Sequence, residues 1–261
     1  LAKVSRSGYY SWLYRTPRSL TSDEKEIIML FESKKSKAGY RTLKMIFERK
    51  NKRIINLKKV RRIKEQFKLI TKVRRKSRYR AVYAKGLEHS VTPNLVKRKF
   101  NDPNLILVDI TEMRIRNGQK AYLFAMKNAL SREIVAFNVS ASPSISLVTE
   151  TVESYLKNVQ KKLMFHSDQG VHFTCQDYKS VLKRWDVKQS MSRKGNCLDN
   201  APIENFFGHL KDEVDFKDCV TIVELKRRLK TYMNYYNNER PQWSLKQKTP
   251  TEAGVEFSLV Y

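Results

Sequence analysis

The sequence predicts an α/β protein with a basic, all-helical front, and three observations carry that prediction. Apolar residues recur at three- and four-residue spacing up to about residue 70, then in strand-like runs after Asn104. The charge is lopsided: residues 1–100 hold 30 basic and 7 acidic side chains, against 23 and 19 over residues 101–261, within a net charge of +27. Asp109 and Asp168 close the apolar runs LILVD and LMFHSD, and Glu204 falls in the first turn of a predicted helix. A chain of 261 residues can bury one large core or two modest ones.

The elements follow in order. Ser5 to Tyr10 and Trp12 suggest a short aromatic helix. Thr21 or Ser22 caps a second helix, with Asp23 and Glu24 at its positive end and Ile27, Ile28, Leu30 and Phe31 as its apolar stripe. Leu43, Ile46 and Phe47 mark a third; Leu57, Val60, Ile63, Lys64 and Phe67 mark a fourth. Short helices with basic outer faces fit a helix-turn-helix-like DNA-binding module at 1–80, although such periodicity also describes a plain helical bundle. The run TKVRRKSRYR at its end includes Arg74, Arg75, Lys76 and Arg78, which we assign to DNA contact. Residues 81–103 carry Pro and Asn without periodicity and predict a linker.

Strands are predicted at 105–115, 120–128 and 132–140, the first two joined by the hairpin signal Asn117-Gly118. A helix from Ser144, a strand at 163–167, a helix at 175–185, a strand at 187–191 and the helix bearing Glu204 complete a segment 104–215. A last helix at 221–237 opens the C-terminal segment 216–261, expected to pack on the core. This pattern gives only the α/β class.

Cys175, Cys197 and Cys219 form no CxxC pair, which argues against a structural zinc site or a disulfide framework. No apolar run approaches the length of a membrane span and the first residues lack a secretory core, so we expect no membrane partner and a cytoplasmic location. The chain opens on Leu, so a fragment of a longer product is an open reading.

Asp109 ends the strand LILVD, Asp168 ends LMFHSD, and Glu204 lies in the first turn of DNAPIENFFGHLK, with Asp199 or Asn200 as its cap. Three convergent carboxylates suit hard divalent cations, and a metal pair suits phosphodiester chemistry; three ordinary surface acids are the competing reading. His166 and His172 flank Asp168, and nitrogen is a poor match to magnesium. We expect His166 to orient the loop or face the groove.

The segments HSDQG and SMSRKGNCLDNAPIENFF, with VSRSGYYSWLYR, AGYRTL, TPNLVKRKF and YYNNERPQWSLKQKTPTEA, resemble the insertion-sequence-three family of bacterial transposases over roughly residues 4 to 253. The resemblance implies an RNase H-like catalytic core: a five-stranded mixed sheet with helices. It implies catalytic and metal-binding roles for Asp109, Asp168 and Glu204, whose 35-residue separation of the last two matches the family's Asp-Asp-Glu pattern. It further implies two Mg²⁺ ions, with Mn²⁺ able to substitute, and Lys211, two turns after Glu204, on a DNA phosphate. Arg193 and Lys194 belong to a basic loop suited to entering strands. Expected partners are DNA at element ends and target, further copies of the chain, and the product of an upstream reading frame. The expected chemistry is nicking at element ends followed by 3′-OH strand transfer. A metal-dependent nuclease, a non-catalytic DNA-binding regulator and a decayed copy are the alternatives. The sequence departs from the family at Val108, where Thr is common, and at Asn128, where Asp is common; both changes could disturb the surroundings of the ligands.

Overall fold

A computed structural model describes residues 5–14, 19–72, 91–159 and 161–259, apart from the side chain of Cys197. The basic run with Arg74, Arg75, Lys76 and Arg78 lies outside the described residues. The chain divides into two compact units, Leu1–Lys72 and Val73–Tyr261.

The first unit is helical: α1 (Arg6–Leu13), α2 (Ser22–Ser33), α3 (Tyr40–Asn51) and α4 (Leu57–Gln66). Thr21 caps α2 in a reciprocal capping box with Glu24. The predicted stripes close into one core of Ile27, Leu30, Phe31, Leu43, Phe47, Val60 and Ile63. Buried Asp23 takes the cations of Lys59 and Arg53, whose hydrogen bonds hold its carboxyl below the ordinary range against the cost of burial. Helix α1 buries none of its residues, and Tyr9, Tyr10, Trp12 and Tyr14 stay exposed.

The second unit is built on β1 (Leu105–Arg114), β2 (Lys120–Asn128), β3 (Ile134–Ser140), β4 (Met164–Ser167) and β5 (Lys188–Met191), in sheet order β3-β2-β1-β4-β5. The first three strands are antiparallel, and β4 and β5 run parallel to β1. Alternation along β1 sends Leu105 and Leu107 into one core and Ile106 and Val108 into another. The first core is covered by α8 (Ala201–Glu213) and α9 (Ile222–Asn238), through Ile203, Phe206, Leu210, Leu229 and Tyr236. The second is covered by α5 (Ile145–Leu156) and α7 (Gln176–Arg184), through Val148, Val152, Tyr178 and Leu182. This is the RNase H-like arrangement, with helices on both faces of a mixed five-stranded sheet.

Three features differ from the sequence reading. The single helix predicted at 175–185 is α7 preceded by a one-turn helix, α6 (Val171–Thr174). A further helix, α10 (Pro250–Ser258), lies where the sequence reading places none. It opens on a capping box between Thr249 and Glu252 with Pro250 in its first turn. Residues 91–98, read as linker, are bound to the sheet's β5 edge: Leu95 N–H donates to Ser190 Oγ at 2.9 Å, and Thr92 Oγ1 lies 3.2 Å from Gln189 Oε1. Among the described residues, no helix is long and apolar enough to cross a membrane.

Candidate active site

Strand register brings the first two carboxylates side by side. Leu107 pairs with His166 across the parallel β1–β4 ladder. Two residues further along each chain stand Asp109 and Asp168, on the same face by the two-residue period. Each has one oxygen fixed by backbone: Ile110 N–H donates to Asp109 Oδ1 at 2.7 Å, and Gly170 N–H donates to Asp168 Oδ1 at 2.9 Å. A Cβ at Gly170 would stand 2.9 Å from that same Asp168 oxygen, so a side chain there would push the carboxylate out of place. Glu204 enters from the first turn of α8, which packs on β1 through the first core.

The electrostatics tie the three together. Burial first, then the charges of Asp168 and Glu204, lift Asp109 to a pKa of about 8; the Ile110 hydrogen bond and the Lys211 cation oppose that rise. Burial also raises Asp168, opposed by the Gly170 hydrogen bond and by His172. Glu204 is raised by burial and by the charge of Asp168. Like charges are therefore gathered around the half-buried Asp109 and Asp168, with Glu204 on the exposed side. Among the described residues, no three His, Cys, Asp or Glu side chains are close enough to grip an ion as they stand. The donor set nonetheless fits a hard divalent cation, since it offers only carboxylate oxygens, and Glu204 is exposed and on a long side chain that can swing inward.

Residues 102–197 and 185–250 match two families of known proteins, each described as integrase core domain. The chain is 34% identical over 259 residues to Escherichia coli InsK, named for the transposase of insertion sequence element IS150, covering 96% of this chain and 90% of that protein. It is 29% identical over 251 residues to E. coli InsF, the transposase of insertion sequence IS3A, covering 92% and 85% of the two chains.

The chain belongs to the IS3 family of insertion-sequence transposases.

The fold agrees: a simian T-cell lymphotropic virus intasome chain superposes with a TM-score of 0.51 at 12% identity, over 87% of this chain and 74% of that one. The transposase is thus a polynucleotidyl transferase with an integrase-type core.

Lys211 of the transposase reaches Thr111, two residues beyond Asp109 on β1, and so stands beside the carboxylates. Arg193 and Lys194 are exposed, but the Arg193 guanidinium is tied to Asp199 through Nε at 2.9 Å and Nη2 at 3.0 Å. Asp199 therefore does not cap α8. Asn200 takes the cap position without a side-chain cap bond. Asp199 is fully buried and also accepts from Arg98 Nε at 2.8 Å and Asn94 Nδ2 at 2.9 Å. The Arg193 hydrogen bonds, with those of Arg98, hold its carboxyl well below the usual range against burial.

His166 is fully buried, with Nε2 3.0 Å from the Asp199 carbonyl and Nδ1 2.9 Å from Ser190 Oγ. A carbonyl only accepts, so Nε2 carries the proton, and burial keeps the ring toward its neutral form. His166 thus orients the loop that leads into the Glu204 helix. His172 lies against the Pro143 carbonyl. Gln169 Nε2 donates to the Ser192 carbonyl at 3.0 Å, joining the turn after Asp168 to the loop before α8.

The family departures have structural accounts. Val108 points into the second core, away from the carboxylates. Asn128 Oδ1 accepts from Leu130 and Ser131 N–H groups at 3.0 and 2.9 Å, as an Asp would, and its Nδ2 donates to the Pro103 carbonyl at 2.7 Å. The C-terminal signature is structural in two of its residues. Asn237 closes the β3 edge by bonding both backbone groups of Ile134, and Arg240 makes a buried bidentate pair with Glu213. Sequence reasoning also missed Lys127, whose Nζ is buried on the Pro202 carbonyl under α8 and whose pKa burial lowers to about 7.

Proposed function

We propose that Asp109, Asp168 and Glu204 hold two Mg²⁺ ions, for which Mn²⁺ can substitute. We propose that the transposase uses this site to nick DNA at an element end and then to join the freed 3′-OH to a second strand. One observation carries the proposal: the carboxylates of β1, the end of β4 and α8 stand near enough that the charges of Asp168 and Glu204 raise Asp109 and the charge of Asp168 raises Glu204. When bound, such a metal pair activates the attacking oxygen and stabilises the leaving one in an in-line displacement.

The chain's own residues then have distinct tasks. The backbone bonds of Ile110 and Gly170 aim Asp109 and Asp168, and the His166–Asp199 contact sets the start of the helix carrying Glu204. Lys211, beside Asp109, is placed to hold a phosphate oxygen of the reacting strand. The exposed Arg193 and Lys194 loop borders the approach to the site. The basic front, 1–80, serves as the DNA-holding domain, and the segments 104–215 and 216–261 as catalytic core and its packed tail. Assembly as a multimer, with the upstream reading-frame product contributing end recognition, completes the reading.

A nicking assay tests it. With the element's own terminal DNA and Mg²⁺, the wild type should release a labelled strand, and Asp168→Asn should release none while still binding the DNA. Nicking that persists undiminished in Asp168→Asn would overturn the assignment.

A further inference from the structure

The motif TPNLVKRKF precedes β1 and has no role in the chemistry described so far, yet two of its residues converge on one buried group. Asn94 and Arg98 both bond the Asp199 carboxylate, more than one hundred residues away in sequence, and so does Arg193. Asp199 takes five hydrogen bonds: Arg98 Nε and Arg193 Nη2 on Oδ1, and Asn94 Nδ2, Arg193 N and Arg193 Nε on Oδ2. Arg98 Nη2 is braced in addition by Asn196 Oδ1 at 2.9 Å. The backbone turns left-handed at Lys97 and Arg98, φ +47° and +63°, a conformation that side-chain-bearing residues adopt only under constraint.

One carboxylate is wholly enclosed while the two guanidinium side chains it holds remain 43% and 60% exposed. Each guanidinium is gripped along its Nε–Nη2 edge, which leaves the Nη1 edge directed away from Asp199. Lys97, Lys99 and Lys194 are exposed on the same two segments. Two cations on one anion leave a net positive charge, and their rotamers are already fixed, so less side-chain entropy is lost when a phosphate binds. The location follows from the chain: Arg193 succeeds Ser192, whose carbonyl is held by Gln169 beside Asp168, and Asp199 lies five residues before Glu204.

We infer that Arg98 and Arg193, clasped on Asp199, form a preorganised fork for the phosphodiester backbone of a DNA strand lying across the carboxylate trio. The inference rests on the transposase reading of that trio and adds to it a second anchor, drawn from the segment before β1.

Arginine footprinting of the wild-type full chain tests it without altering the fold. The chain is treated with phenylglyoxal, with and without a duplex of the element's terminal sequence, and each arginine's modification rate is read by mass spectrometry. DNA should slow modification of Arg98 and Arg193 several-fold at low salt, and high salt should remove the protection. Unchanged rates at both, with arginines of the first unit protected, would overturn the fork and leave Arg98 and Arg193 as supports for Asp199. A second readout uses the Arg98→Gln/Arg193→Gln variant, once circular dichroism shows it folded. Its slope of log affinity against log salt should shrink by about 0.9 for each phosphate the variant no longer neutralises; an unchanged slope would contradict the fork. The two proposals fail separately: absent protection with intact strand joining removes only the fork, whereas protection without any nicking removes the catalytic reading.

Discussion

Burial and two neighbouring carboxylates lift Asp109 to a pKa of about 8, whereas the unfolded chain releases the same proton near 3.8. Between those values the folded state binds more protons than the unfolded one, so this group makes metal-free protein lose stability as pH rises from about 4 to 8. Asp109→Asn should flatten that part of the stability–pH profile and raise the melting temperature at pH 8. It should also abolish the stabilisation that Mg²⁺ gives the wild type; calorimetry with and without Mg²⁺ reads both. Gly170 offers a steric test. Its Ala variant places a methyl 2.9 Å from Asp168 Oδ1 and should lower nicking by about 100-fold, in line with the cost of displacing a catalytic group by 1 Å, with circular dichroism unchanged. Activity equal to wild type would show that the turn yields freely. Asp168 and Glu204 stand where the sequence reading puts them, just after β4 and in the first turn of α8, whereas Asp109 lies inside β1 rather than at its end, because the strand pairs with β2 as far as Arg114. Asp199 was not legible in sequence: its place before α8 resembles a cap, and the partners that claim it, Asn94 and Arg98, are distant in the chain and close only once β5 has formed.

At the level of elements, long periodic segments are legible in the sequence and short or polar ones are not. Strands β1, β2 and β3 and helices α5, α8 and α9 follow alternation or three-to-four spacing strong enough to survive without tertiary information. Helix α10 carries few apolar anchors, and its one clear local signal is the capping box from Thr249 to Glu252. The segment 91–98 has no periodicity because its contacts run to β5 and Asp199 rather than along itself. Asn237 shows the same limit in the C-terminal signature. Its amide imitates a strand partner for Ile134, 103 residues earlier, a job invisible from the run YYNNER. Asn237→Ala should leave both backbone groups of Ile134 short of a partner and cost about 1–3 kcal/mol in denaturant unfolding. A change within error would mean that water or a neighbouring chain satisfies the β3 edge equally well.

Over the whole molecule, charge and chemistry are divided along the chain. Residues 1–100 hold nearly all of the +27 excess, and the carboxylate trio lies entirely beyond them. Arg53 and Lys59 are engaged on Asp23, but 30 basic residues against 7 acidic ones over residues 1–100 leave far more cations than internal acids can neutralise. DNA affinity of the full chain should therefore fall steeply with salt, with a log–log slope of about −5 or steeper, since each neutralised phosphate contributes about −0.9. A flat dependence would show that the basic front does not hold the DNA backbone. The family and the core fold were readable from sequence. The coupling of the segment before β1 to the loop ahead of α8 was not, because it is a property of the closed sheet.

The most direct test of the central claim is strand joining. Labelled terminal DNA of the element is incubated with Mg²⁺ and either wild type or Glu204→Gln. The account predicts joined product with the wild type and none with Glu204→Gln, which should still bind DNA and melt no lower than wild type. Joining that survives in Glu204→Gln, or that proceeds equally without divalent metal, would contradict it.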